Sequence, residues 1–69
     1  METYLEEKIM EAKMDLDNIT AEKKAMLKLI PEDDEAVYRY TVASIMKRHQ
    51  ANILKEYEEA LEEIREEFQ

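Results

Sequence analysis

The sequence predicts an all-α fold, an antiparallel hairpin of two long helices, and three observations favour it. The 69 residues include no glycine and one proline, so few sharp turns can form. Strong helix formers dominate the composition, chiefly Glu, Lys, Ala, Leu and Met. Apolar residues recur every three or four positions, which is the spacing of one face of an α-helix. We therefore expect a single helical domain over residues 1–69.

The first predicted helix runs from about residue 3 to about residue 30. Thr3 and Glu6 have the spacing of a capping box, which satisfies free amide groups at a helix start. Residues 17–20 are a weak point, because Asp, Asn and Thr side chains compete for backbone hydrogen bonds. A break there would give three helices instead of two. The predicted inward stripe, with one polar position, is Leu5, Ile9, Ala12, Leu16, Ile19, Lys23, Met26 and Ile30.

The second predicted helix runs from about residue 34 to about residue 68, after a turn at 31–33. Pro31 ends the first helix, because the residue before a proline is forced out of the α conformation. Either Asp33 or Asp34 can cap the new helix through its carboxylate. The predicted stripe of this helix consists of Tyr38, Val42, Met46, His49, Ile53, Tyr57, Ala60 with Leu61, Ile64 and Phe68.

Both helices carry apolar residues outside these stripes, which predicts contact with more than one neighbour. A chain this short buries little apolar surface by itself, and it has no cysteine for a disulfide. We expect a homo-oligomer, two hairpins pairing into a four-helix bundle or a coiled-coil-like dimer. The alternative is a monomer that awaits a partner. The residues outside the stripes are Met10, Met14, Ala21, Ala25, Val37, Ile45 and Leu54.

The second helix is predicted to be six to eight residues longer than the first. If the hairpin folds about Pro31, the last turns of this helix overhang the start of the first by about 10 Å. Ile64 and Phe68 would then be uncovered and form a docking surface. The alternative is a frayed C-terminus.

Charge is distributed in zones along the chain, whose net charge is −8. Residues 56–69 contain seven glutamates, and Glu62 with Glu66 is one of several destabilising like-charge pairs at i,i+4. A helix that breaks this rule repeatedly does so for function, or else presents an ordinary solvated face. The candidate partner surface is therefore Glu59, Glu62, Glu63, Ile64, Glu66, Glu67 and Phe68. A second candidate, a basic waist, is Lys23, Lys24, Arg39, Tyr40, Lys47 and Arg48.

Catalysis and cofactor binding find no support in the sequence. His49 is placed on the apolar stripe, within reach of Asp15 or Asn18, and no nucleophile accompanies it. Phosphate-binding loops need glycine, and a thiolate metal site needs cysteine. We expect no enzyme activity, cofactor or metal. The longest uncharged run has seven residues, too short to cross a bilayer, and no targeting segment is visible. We expect a cytoplasmic protein that does not enter membranes.

These features predict a small non-catalytic module for protein–protein interaction, an adaptor, regulator or inhibitor that acts through helix surfaces. Its protein partner would have a basic or mixed surface. The alternative is an acidic mimic of nucleic acid, of the kind encoded by phages and mobile elements, that occupies the basic cleft of a DNA- or RNA-binding protein. A third interpretation is direct binding of nucleic acid by the basic waist, where phosphates would meet Lys23, Lys24 and Arg48.

Overall fold

The chain is a hairpin of two α-helices, α1 (Glu2–Leu27) and α2 (Asp34–Glu67), which confirms the predicted fold class. This computed structural model describes residues 2–30 and 32–68, and within those ranges there is no strand. The helices run antiparallel, since Lys23 lies beside Tyr40 near the turn and Glu6 lies beside Arg65 at the open end. The hairpin is a rod of 55 × 14 × 11 Å.

Helix α1 is continuous, so the two-helix prediction is confirmed and the alternative of a break at residues 17–20 does not occur. Thr20 Oγ1 donates to the carbonyl of Leu16 at 2.8 Å, a bond that lies within the helix and does not interrupt it. The predicted capping box is wrong. The helix already includes Glu2, so Thr3 lies inside its first turn and not at the N-cap.

Helix α1 ends at Leu27, three residues earlier than predicted. The chain then tightens, with the amide of Leu29 donating to the carbonyl of Met26 at 3.0 Å and the amide of Glu32 to that of Leu29 at 3.1 Å. Both bonds span three residues and not four, as is common at helix ends. Pro31 itself lies outside the described residues. Its ring disfavours the α conformation at Ile30, the residue that precedes it.

Asp33 is the N-cap of α2, one of the two residues predicted for that role. Its backbone is extended (φ −132°, ψ 111°), and its Oδ1 accepts a hydrogen bond from the amide of Glu35 at 2.9 Å. Asp34 and Glu35 follow in the first turn, where carboxylates favour the positive end of the helix dipole.

The interface between the helices is formed by one regular row of residues on each helix, which we call the inner seam. The positions of both rows alternate three- and four-residue steps, the pattern of a coiled coil. Every member is buried or half-buried. The inner seam of α1, with its continuation past Leu27, matches the predicted stripe at all eight positions. The inner seam of α2 is Ala36, Tyr40, Ala43, Lys47, Gln50, Leu54, Tyr57, Leu61 and Ile64.

Of the predicted stripe of α2, Tyr57, Leu61 and Ile64 belong to the inner seam, and Val42, Ile53 and Ala60 are half-buried beside it. Tyr38, Met46 and His49, predicted to face α1, are exposed, as is Phe68. In the N-terminal half the interface instead takes alanines, which let the two backbones approach closely, and the long side chains of Lys47 and Gln50. Leu54, predicted to lie outside the stripe, belongs to the inner seam.

The core of the hairpin is small. The described residues less than one tenth exposed are Leu5, Ala12, Ala36, Ala43 and Leu61. Three of these are alanines, whose side chains bury little apolar area. Two helices alone therefore leave much of the apolar composition of the chain at its surface.

Candidate interaction surfaces

The predicted overhang at the C-terminus is shorter than expected. The positions of the two inner seams pair symmetrically about residue 33, so that Leu5 corresponds to Leu61. The hairpin therefore folds about a point two residues beyond Pro31. This shifts the end of α2 back along α1. Ile64, predicted to be uncovered, is half-buried, whereas Phe68 is 79% exposed. The apolar residue exposed at this end of the rod is therefore Phe68, and not Ile64 together with Phe68.

The acidic residues of the candidate partner surface surround the last turns of α2 instead of forming one face. Glu59, Glu62, Glu63, Glu66 and Glu67 are all exposed. At about 100° per residue, their positions are spread around the helix on every side that α1 leaves open. A narrower row does share one outward face, and its members, at steps of three and four residues, are Glu56, Glu59, Glu63 and Glu66.

The basic waist does not form one surface. Lys23, Tyr40 and Lys47 belong to the inner seams and are half-buried, with Lys23 Nζ 5.1 Å from the ring centre of Tyr40. Lys24 and Arg48 are exposed. Counted from the inner seams, both residues lie on one side of the rod, and Arg39 lies on the opposite side. Arg39 is paired with Glu35 at 3.6 Å. The prediction that these residues form a common binding face is not supported by their placement.

An exposed apolar face on α2 was not recognised from the sequence. Val42, Met46, His49 and Ile53 step by four, three and four residues, so they share one face, which we call the second seam of α2. Met46 is 50% exposed and His49 is exposed, while Val42 and Ile53 are half-buried. The pattern was visible in the sequence, but these four residues were all assigned to the hairpin interior.

A small open groove lies at the N-terminal part of the second seam. Its lining residues are Tyr38, Arg39, Val42, Ala43, Met46 and, from α1, Glu22. The lining is mostly apolar and includes two charged side chains of opposite sign.

Helix α1 has an exposed apolar patch of its own. Met10 and Met14, one helical turn apart, are exposed, as predicted for residues outside the stripe. The nearby Lys8 Nζ donates to Glu11 Oε2 at 3.3 Å, and this hydrogen bond and the charge of Glu11 raise the pKa of Lys8.

No protein-family model, curated protein or solved structure matches the chain. Over residues 2–30 and 32–68, no group of His, Asp and Glu side chains is arranged to hold a metal ion. Neither helix, across its described residues, has an apolar stretch long enough to pass through a bilayer. What the hairpin presents to other molecules is the second seam of α2, the methionine patch of α1 and the acidic end around Phe68.

Proposed function

We propose that this chain is a non-catalytic interaction module, an adaptor, regulator or inhibitor that binds another protein through the exposed faces of its helices. The observation that carries the proposal is the imbalance between a small core and a large exposed apolar surface. Large apolar side chains exposed on the hairpin are Tyr4, Met10, Met14, Leu27, Leu29, Val37, Tyr38, Ile45, Met46 and Phe68.

Part of this exposure is informative because some of these side chains are grouped on one helix face. Single exposed apolar residues are normal, but contiguous patches rimmed by charge mark interaction sites. Met46 lies one turn from Val42 along the same face, and Met10 is similarly placed with respect to Met14. Methionine is well suited to this use, because its flexible thioether adapts to differently shaped partners.

The acidic end supports a partner with a basic or mixed surface. Phe68 offers an aromatic side chain of the kind that anchors interfaces, and exposed glutamates surround it. A partner with an apolar pocket rimmed by Lys and Arg would match both features. The glutamates would speed and orient its approach, and Phe68 would supply most of the affinity.

The test is affinity capture from extracts of the native host with the 69-residue chain, followed by calorimetry with the partner that is recovered. Phe68→Ala or Met46→Glu should weaken binding about tenfold or more, because truncating an anchor removes a large share of the binding free energy. Glu7→Gln, on the exposed surface of α1, serves as the control. Deleting residues 58–69 is unsuitable, because it would also remove the buried Leu61. A recovered partner whose affinity none of these substitutions alters would contradict the proposal.

A second candidate function is the imitation of nucleic acid, and the exposed glutamate row of α2 favours it. The carboxylates of Glu56, Glu59, Glu63 and Glu66 are spaced about 4.5–6 Å apart along the helix axis, comparable to the spacing of phosphates. Changing the four to glutamine should then abolish partner binding, and duplex DNA should compete with the chain for its partner. If DNA does not compete, this candidate fails while the module proposal stands.

Direct binding of nucleic acid through the basic waist has less support. Two of its lysines lie in the inner seam, and Arg39 is already paired with Glu35. We therefore do not extend the proposal to it. A gel shift at low salt, lost on substitution of Lys24 and Arg48, is the result that would reinstate it.

A further inference from the structure

The second seam of α2 continues with charged residues at both ends, and the two charges are opposite. Arg39 lies three residues before Val42, and Glu56 lies three residues after Ile53, so the row reads Arg39, Val42, Met46, His49, Ile53, Glu56. Arg39 and Glu56 are exposed, and the pair that Arg39 forms with Glu35 is itself exposed, so the guanidinium remains accessible to a second carboxylate. Four apolar or weakly polar residues are thus bracketed by one positive and one negative side chain on the same helix face.

This pattern is complementary to itself in the antiparallel direction. We propose that a second copy of this chain docks on the second seam, with the two α2 helices antiparallel about a twofold axis between Lys47 and Arg48. Arg39 then lies opposite Glu56 of the other copy, Val42 opposite Ile53, and Met46 opposite His49. Each contact occurs twice, as twofold symmetry requires. The inference rests on the proposed function, because it names one partner of the module.

The charges select this arrangement over the parallel one. In parallel register, Arg39 would face its own equivalent, and so would Glu56, so that both ends of the seam would be repulsive. Like charges placed opposite one another disfavour a pairing, and opposite charges at these flanking positions are what set orientation in coiled coils.

The apolar positions select the register. If one copy is shifted by seven residues along the other, Met46 comes opposite Glu56 of the other copy. The opposite slide brings Ile53 opposite Glu35. Either shift buries a carboxylate against an apolar side chain without a partner, which is unfavourable. In the proposed register Val42 faces Ile53 and Met46 faces His49, and none of the four faces a carboxylate.

The surroundings of the seam fit a second helix. Tyr38 and Ile45 are exposed beside it and widen the apolar face. The groove at Val42 and Met46 lies where Ile53 and His49 of the other copy would enter. Two hairpins joined in this way form a four-helix bundle, which supplies the core that a single hairpin lacks.

Electrostatic repulsion opposes the pairing outside the seam. The acidic last turns of α2 lie near the acidic turn of the other copy, and each chain carries a net charge of −8. These groups are exposed, so the repulsion is screened over about 8 Å at physiological ionic strength. The dimer is therefore best tested at that ionic strength or above it.

The test exchanges the two bracketing charges. Sedimentation equilibrium of the full chain should show a dimer, with twice the monomer mass of 8.3 kDa. Arg39→Glu alone places two carboxylates at each end of the seam, and Glu56→Arg alone places two cations there. Each single variant should raise the dimer dissociation constant on the order of tenfold or more, since each symmetric dimer contains the disrupted pair twice.

The decisive sample is an equal mixture of the two single variants. A chain with Glu at 39 and Glu at 56 is complementary at both ends to a chain with Arg at 39 and Arg at 56. The mixture should therefore recover wild-type affinity as a heterodimer, although neither variant dimerises well alone. A parallel pairing would also make the mixture complementary, but its wild-type ends are already repulsive, so neither single variant would bind more weakly than the wild type. Weakening of both single variants together with recovery in the mixture therefore identifies antiparallel pairing with residue 39 opposite residue 56.

Matched controls separate the seam from general effects of charge. Arg48→Glu and Glu62→Arg make the same charge changes at exposed positions on the opposite flank of α2 and should leave the dissociation constant within about twofold. Met46→Glu should give a monomer, whereas Met14→Glu, which changes a similarly exposed methionine on α1, should not. Circular dichroism verifies that each variant remains helical.

Three outcomes would overturn the proposal. They are a wild-type monomer at all concentrations, a dimer lost in Met14→Glu but kept in Met46→Glu, and an equal mixture that dimerises no better than its components. None of these contradicts the module function, which is decided by capture of a different protein. The two inferences can therefore fail separately.

Discussion

Arg65 in α2 donates a hydrogen bond to Glu6 in α1, with 3.2 Å between Nη2 and Oε1. The two residues are 59 positions apart in sequence, so this ion pair joins the two ends of the chain at the open end of the hairpin. Their side chains are 45% and 56% exposed, which leaves the pair accessible to water and salt. Such an exposed pair adds little to the free energy of unfolding, and its main effect is to hold the last turns of α2 beside α1.

The coupling between these two residues should be small. Arg65→Ala and Glu6→Gln, combined in a double-mutant cycle, should give a coupling free energy of less than about 1 kcal/mol, because exposed ion pairs are weakened by solvent. Urea denaturation measures it, and 1 M salt should reduce it further. A coupling above about 2 kcal/mol would show that the pair is shielded from solvent.

The cap of α2 should contribute more to stability than the ion pair. Asp33→Ala removes the carboxylate that accepts the amide of Glu35, and we expect the free energy of unfolding to fall by about 1 kcal/mol. Asp33→Asn keeps an acceptor oxygen and should lower the free energy of unfolding by only a small fraction of that amount. Thermal or urea denaturation distinguishes them, and equal losses in both variants would argue against the capping role.

Lys23 should weaken the hairpin relative to an apolar residue. It is half-buried at an inner-seam position, and its ammonium lies 5.1 Å from the ring centre of Tyr40. The contact with the ring contributes roughly 0.5–1 kcal/mol, less than full burial of a leucine side chain supplies. Lys23→Leu should therefore raise the melting temperature, whereas Lys24→Leu, exposed on the same helix, should change it little. A fall in melting temperature for Lys23→Leu would show that the contact with Tyr40 outweighs burial.

Leu61 should be among the most sensitive positions. It is 8% exposed, and Leu61→Ala should reduce the free energy of unfolding by about 2–3 kcal/mol through lost burial and the cavity that remains. Leu27→Ala removes the same atoms from an exposed position and should cost less than about 1 kcal/mol. Denaturation of both variants at equal protein concentration tests the difference, and similar losses would contradict the assigned core.

The sequence predicted the fold class and the whole inner seam of α1, including the position of Lys23. This succeeded because α1 has one clear apolar row. In α2 two rows overlap. Large apolar residues such as Met46 drew the prediction to the second seam, while the interface selects the small Ala36 and Ala43, which permit close helix approach. Alanine is only weakly apolar, so periodicity alone does not identify it as core.

The candidate surfaces were predicted less well, and the cause is the position of the turn. A hairpin folded about Pro31 would leave Ile64 uncovered. The inner seams are instead symmetric about residue 33, which places Ile64 alongside α1. The length of a turn depends on local backbone hydrogen bonds such as that from Leu29 to Met26, which the pattern of apolar residues does not encode.

The two seams of α2 also bear on where the chain can be altered. α2 presents its inner seam to α1 and a second apolar row to the outside, whereas the outward face of α1 around Met14 and Ala21 takes part in neither. Comprehensive substitution should therefore find that α2 tolerates changes on fewer of its faces than α1 does. A fluorophore for following folding and self-association belongs at Ala21, where it would disturb neither row.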